Sequence, residues 1–299
     1  MAEFGMDEIK KLRERTGAGV MDCKEALKEE DGDIEAAIDH LREKGMTEAA
    51  KRDSVAAEGL IRVIVDDDRK KGLICEINSE TDFVAKNDEF IDLVDELSQK
   101  LFSSSCETVE EFLESPLDDN EDNEEKTIQV KIREVAASMG ENIRLRRFEK
   151  MNTEGYLVGY LHQGSQIGTL IEFTGEEDLH AAKNVAMHIA ASAPRYIDRE
   201  DVPEDDIERE KKVYREQMLN QGKPEDIIDN IVEGKLDKFY TQICLLEQEY
   251  VRDPDKSVGA YLEEKGLNVE QFVRYEVGEG LETEDEDFAE EVRAQVESN

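Results

Sequence analysis

Apolar residues recur at helical spacing through the first 45 positions, then give way to short strand-like runs. Met6, Ile9 and Leu12 make one stripe, and Val20, Met21, Ala26 and Leu27 belong to a second. Asp33 is a good N-cap for a third helix, with Ile34, Ala37, Ile38 and Leu41 at helical spacing behind it. Gly17, Gly19, Gly32 and Gly45 punctuate these helices. The pattern predicts a three-helix docking domain over 1–54, closed by a Lys51-Arg52-Asp53-Ser54 linker.

A β-hairpin pattern follows. Leu60, Ile61, Val63, Ile64 and Val65 make one strand, Asp66 to Lys71 a polar turn, and Leu73, Ile74, Cys75 and Ile77 the return strand. The triple Asp lacks the spaced ligands of a calcium loop and reads as a solvated turn. Next comes a helix with Phe90, Ile91, Val94, Leu97 and Leu101 inward, then an acidic stretch from Glu107, then a helix with Ile128, Ile132 and Val135.

The chain then repeats itself. A shift of 96 residues, counted along the sequence, places Glu58-Gly59 on Glu154-Gly155, Gly72 on Gly168, Ile77 on Phe173 and Asp82 on Asp178. Both copies read as hairpin, acidic turn and helix; the second helix carries Val185, Ala186, Ile189 and Ala190. A lone hairpin cannot bury its apolar face, so two such units complete an α+β core. Beyond Pro203, Ile207, Val213 and Met218 mark one helix. After Gly222-Lys223-Pro224, a second carries Ile227, Ile228, Ile231, Val232, Leu236 and Phe239. This predicts an antiparallel helical hairpin that interrupts the second unit, because a strand pattern returns at Phe272 to Val277. The expected division is a core N-subdomain over 55–150, a C-subdomain over 151–202 and 241–277, the inserted hairpin over 203–240, and an acidic C-terminal helix over 278–299. The hairpin's apolar stripe leaves two uses open, contact with a second copy or packing on its own core.

The turn Thr81-Asp82-Phe83-Val84-Ala85-Lys86-Asn87 puts a large aromatic where strand gives way to helix. Apolar residues at element starts are usually buried, which would make Phe83 a core residue. Such turns also carry binding residues, and an exposed ring can anchor an interface. Phe83 aligns with the smaller Leu179 of the second copy, which leans toward a special role.

The net charge of −38, from 76 acidic and 38 basic residues, repels phosphate backbones and anionic lipid surfaces. Glu107 to Glu125 and Glu276 to Glu297 each hold ten acids and at most one base. No run reaches the ~20 apolar residues of a membrane span. Met1 to Glu8 lack a signal peptide's basic end and apolar stretch, so a soluble cytoplasmic protein is expected. Cys23, Cys75, Cys106 and Cys244 are far apart and read as reduced thiols; His40, His162, His180 and His188 show no zinc spacing. There is no phosphate loop, no nucleophile elbow and no complete dinucleotide fingerprint. Carboxylates are too abundant for any pair to be singled out as acid and base. No cofactor, resident metal or enzymatic reaction is expected.

Longer motifs carry a resemblance. Leu12-Arg13-Glu14-Arg15-Thr16-Gly17-Ala18-Gly19-Val20-Met21-Asp22-Cys23-Lys24, Gly32 to Ala37, Thr81 to Lys86, Met187 to Ser192 and Arg274 to Gly280 together resemble the bacterial elongation factor Ts family, guanine-nucleotide exchange factors for elongation factor Tu. The resemblance covers nearly the whole chain. It implies a ubiquitin-associated-like three-helix domain, a two-part α+β core, an inserted helical hairpin and a C-terminal helix. It implies that Phe83 is an exposed wedge, entering the Tu G-domain with Asp82 beside magnesium and the phosphate loop, with Thr81 and Val84 supporting the turn. Arg13, Val20 and Met21 would dock the first domain, and His162 would face another Tu domain. A scaffold without exchange activity and a carboxylate metal hydrolase are the rival readings.

So large and widespread an acidic excess favours a salt-rich host cytoplasm, where the screening length falls to about 3 Å near 1 M salt. The alternative is an acidic protein with two solvated segments. Thermal melts in dilute buffer and in molar KCl distinguish them: the salt reading expects the melting temperature to rise, and a flat response removes it.

Overall fold

The computed structural model describes residues 5–16, 20–34, 36–38, 40–41, 55–117 and 127–281. At the amino end, α1 (Met6–Thr16) and α2 (Val20–Glu29) bury Ile9, Leu12, Cys23, Ala26 and Leu27 together with Ala37 and Ile38. The Asp33 carboxylate accepts the Ala36 N–H at 3.1 Å, as an N-cap does. Two stripe positions differ from expectation. Met6 and Met21 face solvent, and Cys23 fills the inward place, because Cys23, Ala26 and Leu27 stand at i, i+3 and i+4. The expected linker 51–54 lies outside the described residues, as does the C-terminal helix beyond Leu281.

Strands β1 (Glu58–Val65) and β2 (Lys71–Ser79) form the first hairpin, and β3 (Arg144–Asn152) completes its sheet in the order β1-β2-β3. Asp66 serves the turn between β1 and β2: its carboxylate accepts the backbone N–H groups of Lys70 and Lys71 at 2.7 and 3.0 Å. After β2 come α3 (Asp82–Ala85) and α4 (Asp88–Ser103). Leu93, rather than Ile91, is buried beside Phe90, Val94, Leu97 and Leu101 on α4. The acidic stretch is not all solvated loop. It contains α5 (Val109–Glu114), started by a reciprocal Thr108–Glu111 capping box and held by the buried Phe112. Next is α6 (Ile128–Met139), ended by Gly140 in the left-handed region.

Strands β4 (Tyr156–His162) and β5 (Ile167–Gly175) pair antiparallel, Tyr156 opposite Phe173 and His162 opposite Ile167. The α7 helix (Leu179–Ser192) follows, then α8 (Glu204–Asn220) and α9 (Glu225–Ile243). After the short β6 (Glu249–Tyr250), β7 (Asp253–Ser257) and α10 (Val258–Lys265), β8 (Leu267–Glu276) returns to the edge of the second sheet, order β4-β5-β8. The two helices α8 and α9 lie in sequence between β5 and β8, strands of one sheet. Its core is Met218, Ile228, Val232, Leu236, Phe239 and Ile243, whereas Val213 and Ile227 face solvent. The whole is a mixed α+β protein.

The internal repeat has a steric basis. A Cβ on Gly59 would stand 2.2 Å from the Ile77 carbonyl oxygen, and one on Gly155 the same distance from that of Phe173. The 96-residue shift superposes both glycines and both carbonyl residues, so each hairpin needs its glycine for the same close backbone approach.

Two compact units emerge from the contacts. One takes Met1–Arg62, Cys75–Phe148 and Glu276–Asn299; the other takes Val63–Ile74 and Glu149–Tyr275. In the first, Glu76 is fully buried and accepts from four directions: Arg146 and Asn78 at 2.9 and 3.0 Å, Arg147 at 2.6 Å and the Gly278 N–H at 2.9 Å. Burial alone would raise its pKa, but these bonds together hold it below the usual carboxylate value. The residue joins β2, β3 and the turn after β8, and removing one partner of such a pair costs about 3–5 kcal/mol.

The second unit has a core that includes Tyr156, Phe173, Val185 and Ile189, and it also buries a polar pair. His188, 2% exposed, hydrogen-bonds Gln248 at 2.8 Å through Nε2, and its Nδ1 accepts the Val251 N–H at 3.3 Å. Burial lowers the His188 pKa, with the Gln248 bond opposing. The neutral ring therefore stabilises the fold fully above the unfolded pKa of about 6.5. That stability is lost as pH falls through the lower folded value. Urea unfolding at pH 7.5 and 5.5 should show a larger loss for the wild type than for His188→Gln; equal losses would remove His188 from the acid response.

Candidate functional site

The Thr81 turn has an unusual property for a strand-to-helix junction: its largest side chain is in water. Phe83 is 82% exposed, while the neighbouring Val84 and Ala85 are buried. The reading of Phe83 as a core residue is therefore wrong, and the exposed ring implied by the resemblance is present. Local sequence explains the arrangement. Thr81 caps α3, its hydroxyl accepting the Val84 N–H at 3.4 Å. The helix lasts four residues and stops at Lys86; Asn87 then caps α4 by accepting the Glu89 N–H at 2.9 Å. In the second copy Asp178 caps α7 directly and that helix runs unbroken to Ser192. The first copy thus has an extra, separate helical turn, and Phe83 projects from it.

Two carboxylates tie this turn to the end of α6. Glu141 accepts the Thr81 N–H at 3.0 Å on one oxygen and the Thr81 hydroxyl at 2.5 Å on the other. In the opposite direction, Glu80 accepts the Asn142 N–H at 2.7 Å. The Ser79 hydroxyl adds a bond to the Thr81 carbonyl at 3.1 Å. Sequence reasoning missed Glu80, Glu141 and Asn142; their only local signal is Gly140, whose left-handed cap turns the chain back toward residue 81.

Asp82 sits in the first turn of α3, where the helix dipole favours a carboxylate, and its oxygen accepts from Lys86 Nζ at 2.6 Å. That bond raises the Lys86 pKa. The pair is solvent-facing and can be exchanged for another cation's ligand or another partner at little cost. Cys75, behind the turn on β2, is buried beside Ser98, and burial pushes its thiol up to about 11, which makes it a packing residue.

The other expected binding residues lie elsewhere. Met21, on α2, is 72% exposed. Arg13 belongs to α1 and Val20 opens α2, but their side chains lie outside the described ones. His162 ends β4, where Nδ1 lies 2.8 Å from the Tyr160 hydroxyl and a turn with positive φ at Gln163, Gly164 and Ser165 follows. His162 belongs to the second compact unit and Thr81 to Val84 belong to the first. Among the described residues no group of three or more His, Cys, Asp or Glu side chains could hold a metal, and no helix is long and apolar enough to cross a membrane.

The exposed ring and its supports make separable contributions to stability. Phe83→Ala should change the unfolding free energy by no more than about 0.5 kcal/mol. Val84→Ala removes buried surface and should cost about 1–2 kcal/mol. Paired urea titrations check this, and a destabilised Phe83→Ala would mean that the ring packs in solution.

Comparisons with known proteins place the chain in a family. The family model described as elongation factor TS matches residues 80–279, a span that starts at the clamped turn. An elongation factor Ts from Halothermothrix orenii is 53% identical over 297 residues, covering 98% of both chains. The chain belongs to the elongation factor Ts family, translation elongation factors that act as nucleotide exchange factors for elongation factor Tu.

Proposed function

We propose that this protein accelerates GDP release from elongation factor Tu by inserting Phe83 and Asp82 into the Tu G-domain. The ring sterically excludes the closed arrangement around the phosphate loop. The Asp82 carboxylate disturbs the coordination of the magnesium that Tu holds with its nucleotide. Thr81 and Val84 keep the turn in place, one by capping and one by burial. Arg13, Val20 and Met21 dock the three-helix, ubiquitin-associated-like domain on the same G-domain, and His162 meets a second Tu domain. The protein works in the cytoplasm with translation and needs no cofactor of its own.

The observation that carries this reading is the 82% exposure of Phe83 on a turn fixed by its neighbours. A solvated phenylalanine on a rigid support gains nothing for folding, whereas at an interface it is the kind of side chain that dominates binding. Exchange itself requires no acid, base or nucleophile. The factor binds nucleotide-free Tu more tightly than Tu·GDP, and GDP weakens factor binding by the same ratio.

Release of a fluorescent GDP analogue from Tu of the same organism, followed in dilute buffer and in molar KCl, tests the proposal. Wild type should accelerate release, and Phe83→Ala should lose at least about tenfold of that acceleration, the equivalent of roughly 1.4 kcal/mol. Equal rates for the two proteins would refute the wedge; binding to Tu without acceleration would leave a scaffold.

A further inference from the structure

We infer that Glu141 is the positioning residue of the exchange wedge, an assignment that rests on the Phe83 reading above. A helix of four residues has no independent stability, because nucleation alone exceeds what its few bonds return. Phe83 cannot fix its own direction, since its ring lies in solvent. Val84 and Ala85 hold the far side of the turn by burial. The near side depends on Thr81, and both Thr81 donors, N–H and hydroxyl, end on the Glu141 carboxylate.

The chemistry suits a carboxylate. The Thr81 hydroxyl has to accept the Val84 N–H to cap α3, so its own proton must leave in another direction. Glu141 receives that proton on Oε1 while Oε2 takes the backbone N–H, so capping and clamping do not compete. The Glu80–Asn142 bond runs the other way between the same two segments and opposes rotation about the clamp. A wedge that must displace a loop in its partner meets a reaction force. One anchored only by its buried face would tilt under that force, and small misplacement of an acting group is costly.

A positioning role and a structural role separate kinetically. Docking elsewhere on the protein sets the concentration of factor that half-saturates Tu, whereas clamp rigidity sets the maximal rate of GDP release. Glu141→Ala should therefore lower the maximal rate about tenfold. Its half-saturating concentration should stay within about twofold of wild type. Glu141→Gln should restore part of the rate, since its carbonyl keeps the bond from the Thr81 N–H while its amide offers the hydroxyl proton no acceptor. Circular dichroism at the assay temperature confirms that each variant is folded. If Glu141→Ala does not fold, Thr81→Val, which puts a methyl in place of the hydroxyl and so removes its bond to Glu141 together with its cap on α3, should lower the maximal rate at an unchanged half-saturating concentration. A wild-type maximal rate in the folded variant overturns the assignment, as does an equal loss in Glu141→Gln and Glu141→Ala. Phe83→Ala is run beside them: if it alone is slow, the wedge stands and the clamp fails; if it exchanges normally, the wedge reading itself fails.

Discussion

An apolar ring held in water must be fixed by its neighbours' hydrogen bonds, and the Thr81 turn shows how. Phe83 gains nothing by packing, so its direction is set by the Thr81 cap, the buried Val84 and two carboxylates crossing between residues 80–81 and 141–142. The rest of the first unit supports that constraint. Residues 141–142 are placed by α6 and its glycine stop, and β2 leads straight into the turn. The buried Glu76, three residues before Ser79, binds β2 to β3 and to the chain after β8 through charged donors on several sides.

The two repeats differ at the junction between hairpin and helix. Both keep the glycine that lets a strand pass close to the facing carbonyl, and both follow the hairpin with a helix. In the second copy Asp178 caps a single continuous helix and Leu179 is only moderately exposed. In the first, a separate four-residue turn is interposed, capped at its start by Thr81 and ended at Lys86, and Asn87 then caps the following helix. The separate turn carries an aromatic side chain out into solvent.

Much of this fold is legible in the sequence. The hairpins, the N-cap Asp33, the buried stripes of α4 and α7 and the inserted helical pair follow from periodicity and turn residues. What escaped has physical causes. The β3 strand reads Arg-Leu-Arg-Arg-Phe-Glu-Lys-Met-Asn, with only Leu145 and Met151 buried, so its alternation is masked by charged side chains. The α5 helix hid among acids, although Thr108-x-x-Glu111 is a legible capping signal. Exposure at Phe83 could not be decided from spacing, because a buried and a projecting aromatic look the same at a helix start; the smaller Leu179 in the second copy leaned toward a special role, and the family resemblance pointed outward. Glu141 was invisible for another reason: it acts across 60 residues, and it is one of 76 acids.

Exchange is a coupling between two ligands of Tu, and the wedge is the element claimed to produce it. The most direct test is therefore the affinity of the factor for nucleotide-free Tu and for Tu·GDP, measured for wild type and Phe83→Ala. The ratio of the two affinities should shrink in the variant, because a wedge favours the open G-domain and little else. An unchanged ratio, with both affinities shifted together or not at all, would show that Phe83 is an ordinary contact and that the coupling arises elsewhere.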